Sequence, residues 1–174
     1  MYNDRLPPHD SQAENSVIGS LLLDGDSLTK VSAFLEPEDF YLDKNRFCYE
    51  ACLSLTSRNE AVNQVTVSHE LSIHDRLTPV GGTSYLSSLV NSTPSPTHIS
   101  HYGQIVHRTS VMRQLIQAAG GIAQIGYENA ADTEDSLSRA EEVLFDIRSG
   151  RGSRDFEHIR EVLDTYLEES LQGP

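Results

Sequence analysis

The sequence predicts an all-α chain, and three observations carry that expectation. Apolar residues recur in steps of three and four along most of its length, the spacing of one helix face. No stretch alternates apolar and polar residues between hairpin turns, as a half-buried strand would. Segment ends carry helix punctuation: capping side chains at the starts, glycine or proline at the stops.

The elements follow in order. Leu6-Pro7-Pro8 is an extended lead-in, because proline restricts the residue before it. Ser11-Gln12-Ala13-Glu14 matches a capping box, with the serine as cap and the glutamate reaching back. Val17, Ile18, Leu21 and Leu22 continue on one face until Asp24-Gly25. A short piece over 28–35 ends at Glu36-Pro37. A helix over 44–58 carries Phe47, Cys48, Ala51, Cys52 and Leu55, so the only two cysteines read as small core hydrophobes. Thr66 is the expected cap of the next helix, which holds Val67 and Leu71 and runs to Arg76. Val80-Gly81-Gly82 is a turn, followed by a helix with Tyr85, Leu86, Leu89 and Val90 on one face. Thr93-Pro94-Ser95-Pro96 stops that helix, and Thr97 is the expected cap of a long arm.

The stretch from Ile99 to Ile147 reads as two amphipathic helices folded back on each other. Tyr102, Ile105, Thr109, Met112, Ile116, Ala119 and Ala123 alternate in steps of three and four, the seam of a coiled coil. Leu137, Ala140, Leu144 and Ile147 repeat the pattern after a turn at 126–132, where Asp132 is the expected cap. At ~1.5 Å per residue the first arm reaches ~40 Å, too long for a domain this small, so it is expected to project. The same spacing would also suit the core face of a compact bundle. Gly120-Gly121 implies a kink or a close backbone approach. Residues 149–155 read as a solvated hinge; Arg151 and Arg154 could alternatively touch a phosphate, but the linker reading is preferred. In 156–174, Ile159, Val162, Leu163, Tyr166 and Leu167 form an apolar face that needs a groove to lie in, either back on its own domain or, as favoured here, on another chain.

Composition limits the function. Thirteen basic and 26 acidic residues give a formal charge of −13, which repels phosphate backbones. The polar start resembles no signal peptide, and no apolar run approaches the ~20 residues of a membrane span, so a soluble cytoplasmic protein with no membrane partner is expected. There is no phosphate loop, since neither Gly-Gly pair is followed by the lysine such a loop needs. Of the seven histidines, His98, His101 and His107 lack a carboxylate to complete a ligand set. His74-Asp75 matches the dipeptide of HD-type metal phosphohydrolases, but His9 and His69 are poorly placed as the upstream ligand. No catalytic, cofactor or metal residue is expected.

A collinear set of segments resembles the N-terminal region of the DnaB family of bacterial replicative helicases. It comprises Leu6-Pro7-Pro8, Ala13-Glu14, Val17-Ile18-Gly19, Leu22-Leu23 and Asp39-Phe40-Tyr41. It continues through Val65-Thr66, Val80-Gly81-Gly82, Tyr85-Leu86, Leu89 and Thr93-Pro94-Ser95. Ile99, Tyr102, Ile105-Val106, Arg113 and Gly126 complete it. Asn45 and Asn63 depart from the family's usual histidine and aspartate, and Gly120-Gly121 interrupts the hairpin.

The resemblance implies a helical globule over 1–97, a projecting hairpin over 98–148, a hinge over 149–155 and a linker helix over 156–174. It implies a non-catalytic collar that forms dimers and, at full length, a hexamer. Tyr102, Ile105, Thr109, Met112, Ile116, Ala119, Leu137 and Leu144 would then be the subunit interface. Ile159, Val162, Leu163, Tyr166 and Leu167 would dock on a neighbouring motor domain, which would hold ATP and magnesium. DNA primase and a helicase loader are the implied partners, with DNA contacted only through the full-length ring. The rival readings are a free-standing helical adaptor and, with His74-Asp75, a small metal phosphohydrolase.

Overall fold

The computed structural model describes residues 5–149, so the hinge from Gly150 onward and the linker-helix face at Ile159, Val162, Leu163, Tyr166 and Leu167 lie outside the described residues. Among the described residues there are seven α-helices: α1 (Ser11–Leu23), α2 (Asp43–Ser57), α3 (Gln64–Ile73), α4 (Leu77–Val80), α5 (Gly82–Ser92), α6 (Ile99–Glu128) and α7 (Thr133–Ser149). Short 3-10 turns fill 25–30, 37–39 and 96–98, and no strand occurs among the described residues. The chain divides into two compact units, and the division falls inside α6, between Arg113 and Gln114.

In the first unit α1 lies against both α2 and α5. Its Val17, Ile18 and Leu21 are fully buried with Tyr49, Cys52, Leu86 and Leu89. Both cysteines are free and buried, as the sequence reading requires. Burial pushes the Cys48 thiol up to about 12 and raises Cys52 as well. α1 and α5 approach closely at Gly19, where a Cβ would stand 2.0 Å from Thr93 Oγ1 and 2.7 Å from the Leu89 carbonyl. Only glycine permits that approach. Gly81 and Gly82 have φ of 113° and 70°, which makes the expected turn between α4 and α5.

Three helix starts differ from the sequence reading. Asp10, not Ser11, caps α1, accepting from the Ala13 N–H at 2.9 Å. Glu14 does not reach back. It is buried, and it accepts from the N–H groups of Tyr41 (2.8 Å) and Leu42 (3.1 Å) at the entry to α2. Asn63 caps α3 through the N–H groups of Val65 and Thr66, while the Thr66 hydroxyl accepts from the Asn63 N–H. Thr97 lies within a 3-10 turn capped by Ser95, and α6 begins two residues later at Ile99. In each case two capping residues stand close together, and tertiary geometry selects one. α3 also ends at Ile73, short of Arg76, with His74 and then Asp75 (φ 56°) turning the chain away.

In the second unit α6 continues from Gln114 and α7 returns. Asp132 accepts from the Asp135 N–H at 3.1 Å, the cap expected there. Across the turn, Arg139 donates to both oxygens of Glu128, at 2.8 and 3.3 Å. α6 runs through Gly120-Gly121 as one helix, and among the described residues nothing beyond its own nearby backbone lies within 4 Å of a Cβ placed at either glycine, so no described segment makes the close approach expected there.

Candidate functional site

The residues shared with the family pattern are scattered in sequence but meet in space. At the root of α6, Arg113 donates to the carbonyls of Pro8 (2.8 Å) and Asp39 (2.5 Å). Its guanidinium stands over the Tyr41 ring, against which His9 also stacks with centroids 4.3 Å apart. His107, two turns earlier on α6, brings Nδ1 to 3.7 Å from a carboxylate oxygen of buried Asp39. Glu14 accepts the Asn45 amide at 3.3 Å, and Asn45 Oδ1 accepts the Tyr85 hydroxyl at 2.6 Å. The Lys44 ammonium lies 4.1 Å from the Tyr85 ring centre. A buried carboxylate tied to backbone and amide donors is a structural node, because each polar group it desolvates is also satisfied.

A second polar cluster joins α2 to α3. Glu70 is buried and takes Arg58 in two hydrogen bonds (2.7 and 3.2 Å) and the Ser54 hydroxyl at 2.8 Å. The Arg58 and Ser54 bonds hold the Glu70 carboxyl down at about 2. His74 adds a contact at 3.5 Å, and the neighbouring Glu50 is paired with Arg76. Glu70, committed to a cation, is therefore a poor base. Among the described residues no three histidine, cysteine or acidic side chains gather as a metal cluster. No described helix is long and apolar enough to cross a membrane.

The predicted seam is divided by the structure. On the first part of α6 the fully buried row is Ile99, Gly103, Val106 and Ser110. Tyr102 and Ile105 pack half-buried beside it, and the half-buried Thr109 hydroxyl donates to the Val106 carbonyl. Met112 is 42% exposed, Ile116 60%, Leu137 59% and Leu144 46%, and Ala119 is exposed too. Within the second unit, Ala118, Gly121, Val143 and Ile147 line a shared hollow between α6 and α7. The outward apolar side chains are therefore extra to the hairpin's own packing. Leu115 and Phe145, 41% and 63% exposed, belong with them and were missed, although each adjoins a seam position. Their signal was a large apolar residue left off the stripe.

These features define the class first. The fold is that of the N-terminal domain of DnaB helicases: the crystal structure of that domain from Mycobacterium tuberculosis superposes with a TM-score of 0.77 at 35% identity, covering 81% of this chain and all of that one. The chain belongs to the DnaB-like helicase N-terminal domain family, whose sequence model matches residues 6–108. It is 40% identical over 163 residues to the replicative DNA helicase DnaC of Bacillus subtilis, covering 94% of this chain and 36% of that protein. The replicative DNA helicase DnaB of Geobacillus stearothermophilus is 34% identical with the same coverage. The chain thus spans about a third of the length of these relatives. A DnaB-like replicative helicase, described with its interactions with primase, shares the fold at 23% identity, with a TM-score of 0.67 and 95% of this chain against 36% of that one.

Proposed function

We propose that this chain is the non-catalytic collar of a replicative DNA helicase and that it works by assembly. The observation that carries this reading is the set of apolar side chains left outside the hairpin's own packing, with Ile116 the most exposed large hydrophobic of the predicted seam. The α6 row Met112, Ile116 and Ala119 pairs with a second copy, and the sequence pattern adds Leu137 and Leu144 to that interface. At full length such dimers form the collar of a hexamer. The collar recruits primase or a loader, which the family membership and the shared fold with a primase-interacting helicase support. Residues 156–174 dock on a neighbouring motor domain, which supplies ATP hydrolysis with magnesium and meets the DNA. The protein acts in the cytoplasm.

Light scattering of the 174-residue chain across a concentration series tests this. A dimer or a multiple of it is expected, reduced to a monomer by Met112→Glu or Ile116→Glu with helix content unchanged. A strict monomer, or unchanged mass in both variants, would place the interface elsewhere.

A further inference from the structure

At the root of α6 one buried nitrogen faces a buried carboxylate without reaching it. His107 Nδ1 has no hydrogen-bond partner among the described residues. It stands 3.7 Å from a carboxylate oxygen of Asp39, too far for a hydrogen bond but within ion-pair range. The edge of Phe34 flanks the imidazole, with ring centroids 6.1 Å apart.

The groups around this pair leave room for a second positive charge. Asp39 is 2% exposed, and its carboxylate accepts from the Glu36 N–H at 3.0 Å. The Glu36 side chain caps the same 3-10 turn, and Glu38 in that turn is exposed. Both buried-side acids are felt at Tyr49, whose hydroxyl is raised first by burial and further by Glu36, Cys52 and Asp39. Arg113 brings one positive charge, but it donates to the main-chain carbonyls of Pro8 and Asp39. His9 and Tyr41 stack on each other beside Arg113, and Arg108 on α6 is exposed. The segment 31–35, which meets α6 at Gly103 through Val31 and Phe34, carries no charged residue.

A neutral ring with its lone pair on Nδ1 would set that lone pair against the carboxylate oxygen. A proton taken from solvent makes the ring a cation with donors at both nitrogens, and a buried carboxylate is stabilised by such a partner. We propose that His107 and Asp39 form a proton-operated latch that seats the first turns of α6 on the 34–41 corner of the first unit. A shift of about 1 Å closes the pair to the length of a charge-assisted hydrogen bond. Protonated, the latch holds α6 against the 37–39 turn; neutral, it lets go. Its support is full below the ordinary histidine value of about 6.5 and is lost as pH rises through the midpoint in the folded chain.

The test is a histidine titration of the full chain by NMR, with His107→Gln identifying the His107 signal. Its midpoint is expected about one pH unit above that of the urea-unfolded chain, and Asp39→Asn should lower it about tenfold in proton affinity. Asparagine still accepts the Glu36 N–H, so the turn is kept. Hydrogen exchange of the α6 amides over 106–110, corrected for the intrinsic pH dependence, should be about fivefold slower at pH 6 than at pH 8. That difference should vanish in His107→Gln and survive in His9→Gln. A midpoint at or below the unfolded value, or one unmoved by Asp39→Asn, would overturn the latch. So would an exchange difference that persists in His107→Gln, or one abolished by His9→Gln. If His107→Gln does not fold, sequential assignment identifies the signal, and the midpoints of the parent and Asp39→Asn decide alone.

Discussion

Removing the Glu14 carboxylate should destabilise the first unit more than removing any surface charge. Its oxygens accept from the N–H groups of Tyr41 (2.8 Å) and Leu42 (3.1 Å) and from the Asn45 amide (3.3 Å), with the glutamate fully buried. Glu14→Ala leaves those donors without an acceptor. Each orphaned buried donor costs about 1–3 kcal/mol, partly offset because an ionised group no longer has to be desolvated. A net loss of about 3 kcal/mol is expected, a large part of the stability of an ordinary domain. Glu14→Gln keeps the shape and one carbonyl oxygen but turns an amide N–H toward a donor, so about half that loss is expected. Urea denaturation followed by circular dichroism, with a common slope, measures both. The order alanine below glutamine below parent is required. Alanine within about 0.5 kcal/mol of the parent would mean that water satisfies these groups and that Glu14 is no structural node.

Further expectations can be checked alongside it. Gly19→Ala forces a methyl against Thr93 Oγ1 and the Leu89 carbonyl and should cost about 2–3 kcal/mol in the same assay. Adding Thr93→Ala should recover only part of that, since the carbonyl stays in place; full recovery would show that the backbone contact is not limiting. Glu70 has its folded value lowered from 4.5 to about 2, so its ionisation supports the fold above pH 4.5 and that support is lost as pH falls toward 2. An acid titration of the parent should therefore lose more stability between pH 4.5 and 2 than one of Glu70→Gln; parallel curves would show that the Arg58 pairing contributes nothing. Asn63→Ala removes the cap of α3 and should cost about 1 kcal/mol, whereas Ser11→Ala, beside the true α1 cap, should cost a few tenths. Equal losses in those two variants would contradict the assigned caps.

Much of this fold was legible in the sequence because helices are local. The spacing of Val17, Ile18 and Leu21, the stop at Asp24-Gly25, the turn at Gly81-Gly82 and the cap at Asp132 all depend on neighbours a turn away. Burial of Cys48 and Cys52 followed from their place in an apolar row. Choices between near-equivalent residues were not legible. Asp10 and Ser11 both cap well, and the distant N–H groups of Tyr41 and Leu42, not the local motif, claim Glu14. On α6, Ile99, Tyr102, Ile105, Val106, Met112 and Ile116 put apolar side chains on more than one face, so spacing alone could not say which row the globule would take.

The sequence by itself determined that the described part of the chain is helical, roughly where its longer helices run though not the short α4, and through a collinear pattern from Leu6 to Gly126, which family it resembles. The tertiary structure decided which residues of that pattern touch. It set Arg113 on the carbonyls of Pro8 and Asp39, buried Gly103 and Val106 rather than the predicted seam, and left Ile116, Leu137, Leu144 and Phe145 uncovered. The reason is physical: propensity and capping act within a turn or two, whereas burial is assigned by the shape of what packs alongside. Only the packed chain shows which apolar side chains remain for another molecule to cover.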